Sequence, residues 1–388
     1  MIPHPPLFAS VEALLAPATL CVLLELPDGP WQVRRTASSG GLSGATLERI
    51  SLTDGDRYAG AMLKQIDPQQ SWLMRAAGDT QGREIQFTQS SLWARMPASV
   101  WVPVLAAVQQ PAGVGSLLMP DLTPVVYPAT LCYEPADEGM VYRIIDHLAE
   151  MHAAYWEAPE LRTTSWLATP ADAFLALTID RLGGATHNTD HDDDTYGDQA
   201  FRMWPYLWRF LTKADDAEVL WRTLMEPDAL LAAAQAAPAT LAHGDTWIAN
   251  MGGLAATALF EATQALAQKQ HEPLTPERLI LLDWALATAG PATFDSLWLA
   301  QTWRALDPLH TLALHRAALL RHGVSAVSDD ATWELLCDLG WVRTFLMGAE
   351  WMVRDVRGAP TDTEDQAARE RLNSWCRTTA AILRARGW

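Results

Sequence analysis

The chain has 388 residues, 49% of them hydrophobic and 19% charged, and a formal net charge of −18. Its length exceeds a single small core and its composition excludes an intrinsically disordered chain. The acidity argues against a nucleic-acid partner and is compatible with a cationic one. No apolar run reaches about 18 residues, so no membrane span is expected. The opening Met1-Ile2-Pro3-His4 lacks a basic region, so no signal peptide is expected. Cys21, Cys132, Cys337 and Cys376 form no CxxC and read as reduced thiols of a cytoplasmic protein.

Ser10 is placed to cap a short helix over residues 10–15. Strand signals follow at 31–36, 45–52 and 58–66, the last two flanking the hairpin dipeptide Asp54-Gly55. They predict an antiparallel sheet with a Ser/Gly loop between its first strands. Gly40, Gly41, Ser43 and Gly44 of that loop would let backbone N–H groups close over phosphates, although such clusters are commonly surface turns. Alternation along 58–66 puts Tyr58, Met62, Lys64 and Ile66 on one face. An amine on an apolar face needs an anion or must snorkel to water. Glu84, in a predicted helix over 82–93, is the anion of choice, with Glu48 and Asp79 as competitors.

Segments 99–108 and 114–119 read as two more strands, and after Met119–Pro120 the pattern turns helical. Helices are expected over 140–156, where His152 sits on the apolar face, and over 171–182, 198–213 and 215–236. The run 186–198 holds His187, His191 and five aspartates and reads as a solvated loop rather than a metal site. Pro238 precedes the apolar lead-in to His243-Gly244-Asp245, with Asn250 five residues after Asp245. An Asp able to take a hydroxyl proton, with a neutral amide close behind to ligate a metal, suits phosphoryl transfer. Residues 254–269 read as an extra helix, and 278–283 as a buried strand delivering Asp283 before Trp284. Asp295 follows a Gly290-Pro291 turn, and helices over 295–306, 309–322, 329–354 and 362–386 close the chain.

The order His243-Gly244-Asp245, Asn250, then Asp283-Trp284 resembles the aminoglycoside phosphotransferase and choline kinase superfamily. That superfamily's signature is His-Gly-Asp-x4-Asn followed by Asp-Trp, and the resemblance covers residues 31–300. It implies an α+β, two-lobed, protein-kinase-like fold: an N-terminal nucleotide-binding lobe over 1–119, with an antiparallel sheet and one helix, and a mainly helical catalytic and substrate lobe over 120–388. It implies a small-molecule kinase that uses ATP or GTP with Mg²⁺ and phosphorylates a hydroxyl of an aminoglycoside-like, amino-alcohol or related substrate. By that resemblance Asp245 is the base, Asn250 and Asp283 hold Mg²⁺, and Lys64, positioned by Glu84, contacts the phosphates under the Gly40–Gly44 loop. Met119 borders adenine, and the carbonyl of Pro120 and the N–H of Leu122 hydrogen-bond it, although the superfamily more often has an acidic residue where Pro120 stands. Asp295 ties down the catalytic loop through backbone N–H groups. Glu334, Asp338 and Glu350, on a Trp-bearing helix, would suit a cationic acceptor beside aromatic faces. The alternatives are a catalytically silent nucleotide- or ligand-binding protein of this shape, and a metal-dependent hydrolase built on the His/Asp-rich segments.

Overall fold

The computed structural model describes residues 3–38, 45–123, 125–186, 196–253, 278–358 and 361–388. The Gly40–Gly44 loop, most of the acidic run 186–198 and the expected helix over 254–269 lie outside them.

The architecture is α+β, as expected. The strands are β1 (Leu7–Phe8), β2 (Gln32–Ser38), β3 (Thr46–Asp54), β4 (Arg57–Ile66), β5 (Val100–Trp101), β6 (Ala106–Gln109), β7 (Gly115–Pro120), β8 (Thr240–Ala242), β9 (Met251–Gly253), β10 (Leu279–Leu281) and β11 (Thr288–Gly290). A six-stranded sheet runs β1-β6-β7-β4-β3-β2. The hairpin between β3 and β4 turns at Gly55, whose φ of 57° is cheap only for glycine at that place. The sheet is mixed and not purely antiparallel, because β1 adds to it parallel to β6. The strand is two residues long, too short to leave a periodic signal. Nor is there only one helix in this region: Val11–Leu14, Pro17–Leu23, Trp72–Ala76 and Arg83–Gln89 all form.

The pleat of β4 sorts its residues between two cores. Ala61 and Leu63 join Leu14, Leu20 and Trp31 on one side of the sheet. Ile66 joins Ile85 and Phe87 on the other, in a core continuous with the helical region. Each such buried Leu, Ile or Phe contributes roughly 1.5–3 kcal/mol of apolar transfer. The segment 99–108, read as one strand, is two strands in different sheets. Val100–Trp101 pairs parallel with β10, while Ala106–Gln109 pairs with β7. Pro103, which has no N–H to give a ladder, stands between them.

The remainder is mainly helical, led by Glu138–Tyr155, Thr293–Thr302, Pro308–Arg321, Asp330–Gly358 and Asp362–Arg386. The helix expected over 215–236 is two, Ala214–Met225 and Asp228–Ala236, because Pro227 interrupts it. The one expected over 171–182 also divides, into Pro170–Leu175 and Ile179–Thr186. Small sheets β5-β10-β9 and β11-β8 set the two motif-bearing loops side by side, with Thr288 opposite Ala242. Among the described residues no helix is long and apolar enough to cross a membrane.

Candidate active site

β8 ends at Ala242 and the chain turns sharply. Gly244 has φ 84°, and a Cβ there would stand 2.2 Å from the carbonyl oxygen of Leu286. Only glycine fits that approach. Asp295, fully buried, accepts the His243 N–H on Oδ2 and the Gly244 N–H on Oδ1, both at 2.8 Å. That is the tie expected of it. His152 reaches the same carboxylate with Nε2 at 3.0 Å and is a buried, hydrogen-bonded core residue. The His243 ring donates from Nε2 to the Leu282 carbonyl at 2.9 Å and accepts the Asp245 N–H on Nδ1 at 3.2 Å. The imidazole thereby joins the loop of Asp245 to the strand end that leads to Asp283.

Both oxygens of Asp245 are engaged. Trp298 donates from Nε1 to Oδ1 at 2.8 Å, and Asn250 donates from Nδ2 to Oδ2 at 2.9 Å. Asn250 Nδ2 also meets the Asp245 carbonyl at 3.1 Å. Both of its partners are acceptors, so the amide orientation is fixed and Oδ1 is turned away from them. Burial, and after it the charge of Asp283, raise the pKa of Asp245.

Asp283 follows β10 with φ 64°, a conformation that aspartate tolerates better than most residues. Its Oδ1 is 3.0 Å from Lys64 Nζ, and Glu84 Oε2 is 2.6 Å from the same ammonium. Lys64 and Glu84 are 7% and 6% exposed, so the pairing takes place out of water. Burial works against the Lys64 charge, but Asp283 and Glu84 outweigh it and raise its pKa. Burial likewise opposes the Asp283 carboxylate, and Lys64 overcomes it and lowers its pKa. One ammonium does not fully offset buried Glu84 and half-buried Asp283, and burial raises the pKa of Glu84. The competitors for Lys64 are occupied elsewhere. Glu48 pairs with Arg35 at 2.7 Å, and Asp79 caps the glutamate-bearing helix through the Arg83 N–H at 2.8 Å.

The structure therefore brings Lys64, Glu84, Asp245, Asn250 and Asp283 into one region from four segments, Asp245 and Asn250 sharing one loop. Met119 borders Glu84 and Asp283 across a gap of about 10 Å³. Pro120 pairs with Ala61 in the sheet. Leu122 packs its side chain against Trp101 and Ile280, and its N–H has no partner among the described residues.

A cavity of about 290 Å³ opens from Asp245, Asn250 and Asp283 between Trp72, Trp247, Trp298 and Trp351, with Arg304 and Asp355 on its wall. The acids expected to receive a cation are not there. Glu350 pairs with Arg354 at 3.3 Å and Asp338 with Arg386 at 2.7 Å, while Glu334 is exposed and lies off the cavity. Of that helix Trp351 and, one turn on, Asp355 face the space.

Sequence reasoning missed Arg83, Trp298, Arg343 and Asp355. Arg83 is 2% exposed and donates to the Ala285 carbonyl at 2.6 Å, joining the Glu84 helix to the loop after Asp283. For Arg343 a signal existed: it stands four residues from both Leu339 and Met347, on an apolar stripe.

No protein-family model matches the chain, and no curated protein matches it. Solved structures with a similar chain path include an ethanolamine kinase from Plasmodium vivax, at 10% identity and TM-score 0.44, covering 98% of this chain and 91% of that one. A choline/ethanolamine kinase family protein from Mesorhizobium loti follows at 14% identity and TM-score 0.39, covering 95% and 97%. A macrolide 2'-phosphotransferase from Brachybacterium faecium is similar at 14% identity and TM-score 0.38, covering 92% and 98%. Likenesses of this size assign neither a reaction nor a substrate to the chain.

Proposed function

We propose that the protein is a small-molecule kinase that transfers the γ-phosphate of ATP or GTP to an alcohol hydroxyl. The observation that carries this reading is Lys64 Nζ, held at 2.6 Å from Glu84 and 3.0 Å from Asp283, on the side of the cavity where Asp245 and Asn250 meet. A buried ammonium fixed between two carboxylates is suited to bind phosphate oxygens in a reproducible place.

The donor set fits Mg²⁺. Buried Glu84 and half-buried Asp283 face the Lys64 ammonium, and half-buried Asp245 lies close enough to Asp283 to feel its charge, an excess of negative charge that a divalent cation would offset. Asn250 Oδ1 and Asp283 would hold the ion, which prefers hard oxygen ligands and keeps several waters. When bound it supplies charge neutralisation on the transferred group. Asp245 orients the acceptor hydroxyl and takes its proton as the oxygen bonds to the γ-phosphorus. The bond from that phosphorus to the bridging oxygen breaks, and the nucleoside diphosphate leaves. Burial and the neighbouring carboxylate make Asp245 a stronger base than an exposed aspartate.

The test is release of ADP or GDP in the presence of Mg²⁺ and a panel of hydroxyl compounds. Asp245→Asn is expected to lower acceptor-dependent turnover by about 10²–10⁴-fold with the fold retained by circular dichroism. Undiminished turnover in that variant contradicts the reading.

A further inference from the structure

Three of the five aromatic side chains that line the cavity already carry protein cations. Arg304 lies over Tyr133, 4.4 Å from the ring centroid. Arg343 lies over Trp298 at 5.8 Å, and Arg354 over Trp351 at 5.6 Å. All three rings line the cavity. Attraction of a cation to a ring comes from the negative face of its π-system, and a guanidinium already seated there weakens it for a second cation.

The wall carboxylate is engaged as well. Apart from Asp245 and Asp283, Asp355 is the sole carboxylate lining the cavity among the described residues. It is ion-paired with Arg304, and Arg371 and Arg354 act on it too. An entering ammonium group would share that carboxylate with guanidinium groups and meet their repulsion. Another polar group on the wall is neutral: Gln301 is 5% exposed, and its side-chain oxygen has no hydrogen-bond partner among the described residues. The volume, about 290 Å³, lies at the lower edge of the roughly 300–1,000 Å³ usual for small-molecule pockets.

We propose that the acceptor is an uncharged alcohol with a compact apolar body, and that cationic amino alcohols and polycationic sugars are poor ligands of this cavity. The inference rests on the phosphotransferase reading in calling the ligand an acceptor. Its claim about ligand charge stands on the wall beyond Asp245 and Asp283, and it reverses the expectation of a cationic substrate drawn from the net charge and the acidic helix.

Choline and its neutral isostere 3,3-dimethylbutan-1-ol separate charge from shape, since one quaternary nitrogen replaces one carbon. Both are titrated into the full chain without nucleotide, and the intrinsic fluorescence of the wall tryptophans is followed. The neutral alcohol is expected to bind at least about tenfold more tightly. Equal or tighter binding of choline overturns the inference, and so does binding of neither. Arg304→Ala removes the ion-pair partner of Asp355 and uncovers Tyr133, so choline should gain at least about tenfold relative to the neutral alcohol. Absence of that gain also overturns it. Because no nucleotide takes part, a protein without transfer activity reports on ligand charge equally well. ADP release with the tighter ligand then tests the phosphotransferase reading separately.

Discussion

Arg343 donates from its guanidinium to the carbonyl of Gly244 at 2.6 Å, from a side chain 1% exposed. Asp295 grips the same residue from its other end, by the N–H. The glycine before Asp245 is thus held at both of its backbone polar groups by side chains distant in sequence. Burial lowers the pKa of Arg343 to about 10, against the pull of Asp295 and Asp245, and the group stays charged at neutral pH. Arg343→Met leaves a buried carbonyl unpaired, which costs about 1–3 kcal/mol in denaturant unfolding. It also loosens the backbone that aims Asp245, so kcat is expected to fall about 10²-fold. The KM for nucleotide should stay within about twofold, because Lys64 and Glu84 are untouched. A KM that rises in step with the loss of kcat would show that the arginine does something other than position the loop.

Glu84 and Asp283 share Lys64, so the two acids are not equivalent when removed. Glu84→Gln leaves the ammonium with Asp283 alone, and that pair then tightens. Asp283 becomes less available to a cation, and the Mg²⁺ concentration needed for half-maximal turnover is expected to rise about tenfold. Stability should fall by about 1–3 kcal/mol, since Lys64 keeps one partner and is not stranded. A magnesium titration of ADP release on both proteins decides it; superimposable curves would exclude competition between Lys64 and the metal.

Much of this site was legible because its residue types are costly to bury unless they meet. Lys64 on an apolar strand face had to meet an anion or reach water, and Glu84 supplied the anion. Asp245, Asn250 and Asp283 stood at strand ends, where loops deliver side chains. What was not legible depends on tertiary burial. Arg83 and Arg343 meet the carbonyls of Ala285 and Gly244, partners 202 and 99 residues away that no local pattern names. Asp355 carried no signal of its own, because its pairing with Arg304 joins segments 51 residues apart. The fold's misreadings are local: β1 is too short to alternate, Pro103 divides an apolar run into two sheets, and Pro227 breaks a helix whose periodicity continues through it.

Gly244→Ala tests the backbone directly. The substitution needs φ near +84° and sets a methyl 2.2 Å from the Leu286 oxygen, a backbone atom that does not swing aside. The strained φ alone costs about 1–2 kcal/mol, and the collision adds to it. The loop between β8 and Asn250 must move away from the β10–β11 connection, separating Asp245 from Asp283. Loss of turnover is expected together with a lowered Tm. An alanine variant with wild-type turnover would mean that this turn is not what aligns the two carboxylates.

A buried polar chain sets the acid limit of stability. His315 Nε2 stands 3.0 Å from His152 Nδ1, His315 Nδ1 stands 3.1 Å from Ser296 Oγ, and His152 Nε2 faces Asp295. Ser296 Oγ also donates to the Thr293 carbonyl at 3.3 Å, so its one proton is shared between that acceptor and His315, and the ring roles follow the tautomers. Burial, with the neighbouring His152, holds the pKa of His315 well below its ordinary 6.5. In the unfolded chain that imidazole takes up a proton near pH 6.5, while in the folded chain it stays neutral. The unfolded state therefore binds more protons as pH falls, and stability is lost from pH 6.5 downward. At pH 5 the loss from this group alone is at most about 2 kcal/mol. Asp295 acts in a different window. Burial opposes its charge, but His152 outweighs burial and lowers its pKa, so its contribution persists above 3.8 and is lost only below that. His315→Gln retains a donor toward His152 and cannot titrate. Urea midpoints measured from about pH 7.5 to pH 5 should fall in the wild type and run flatter in the variant. Parallel slopes would show that the acid sensitivity originates elsewhere.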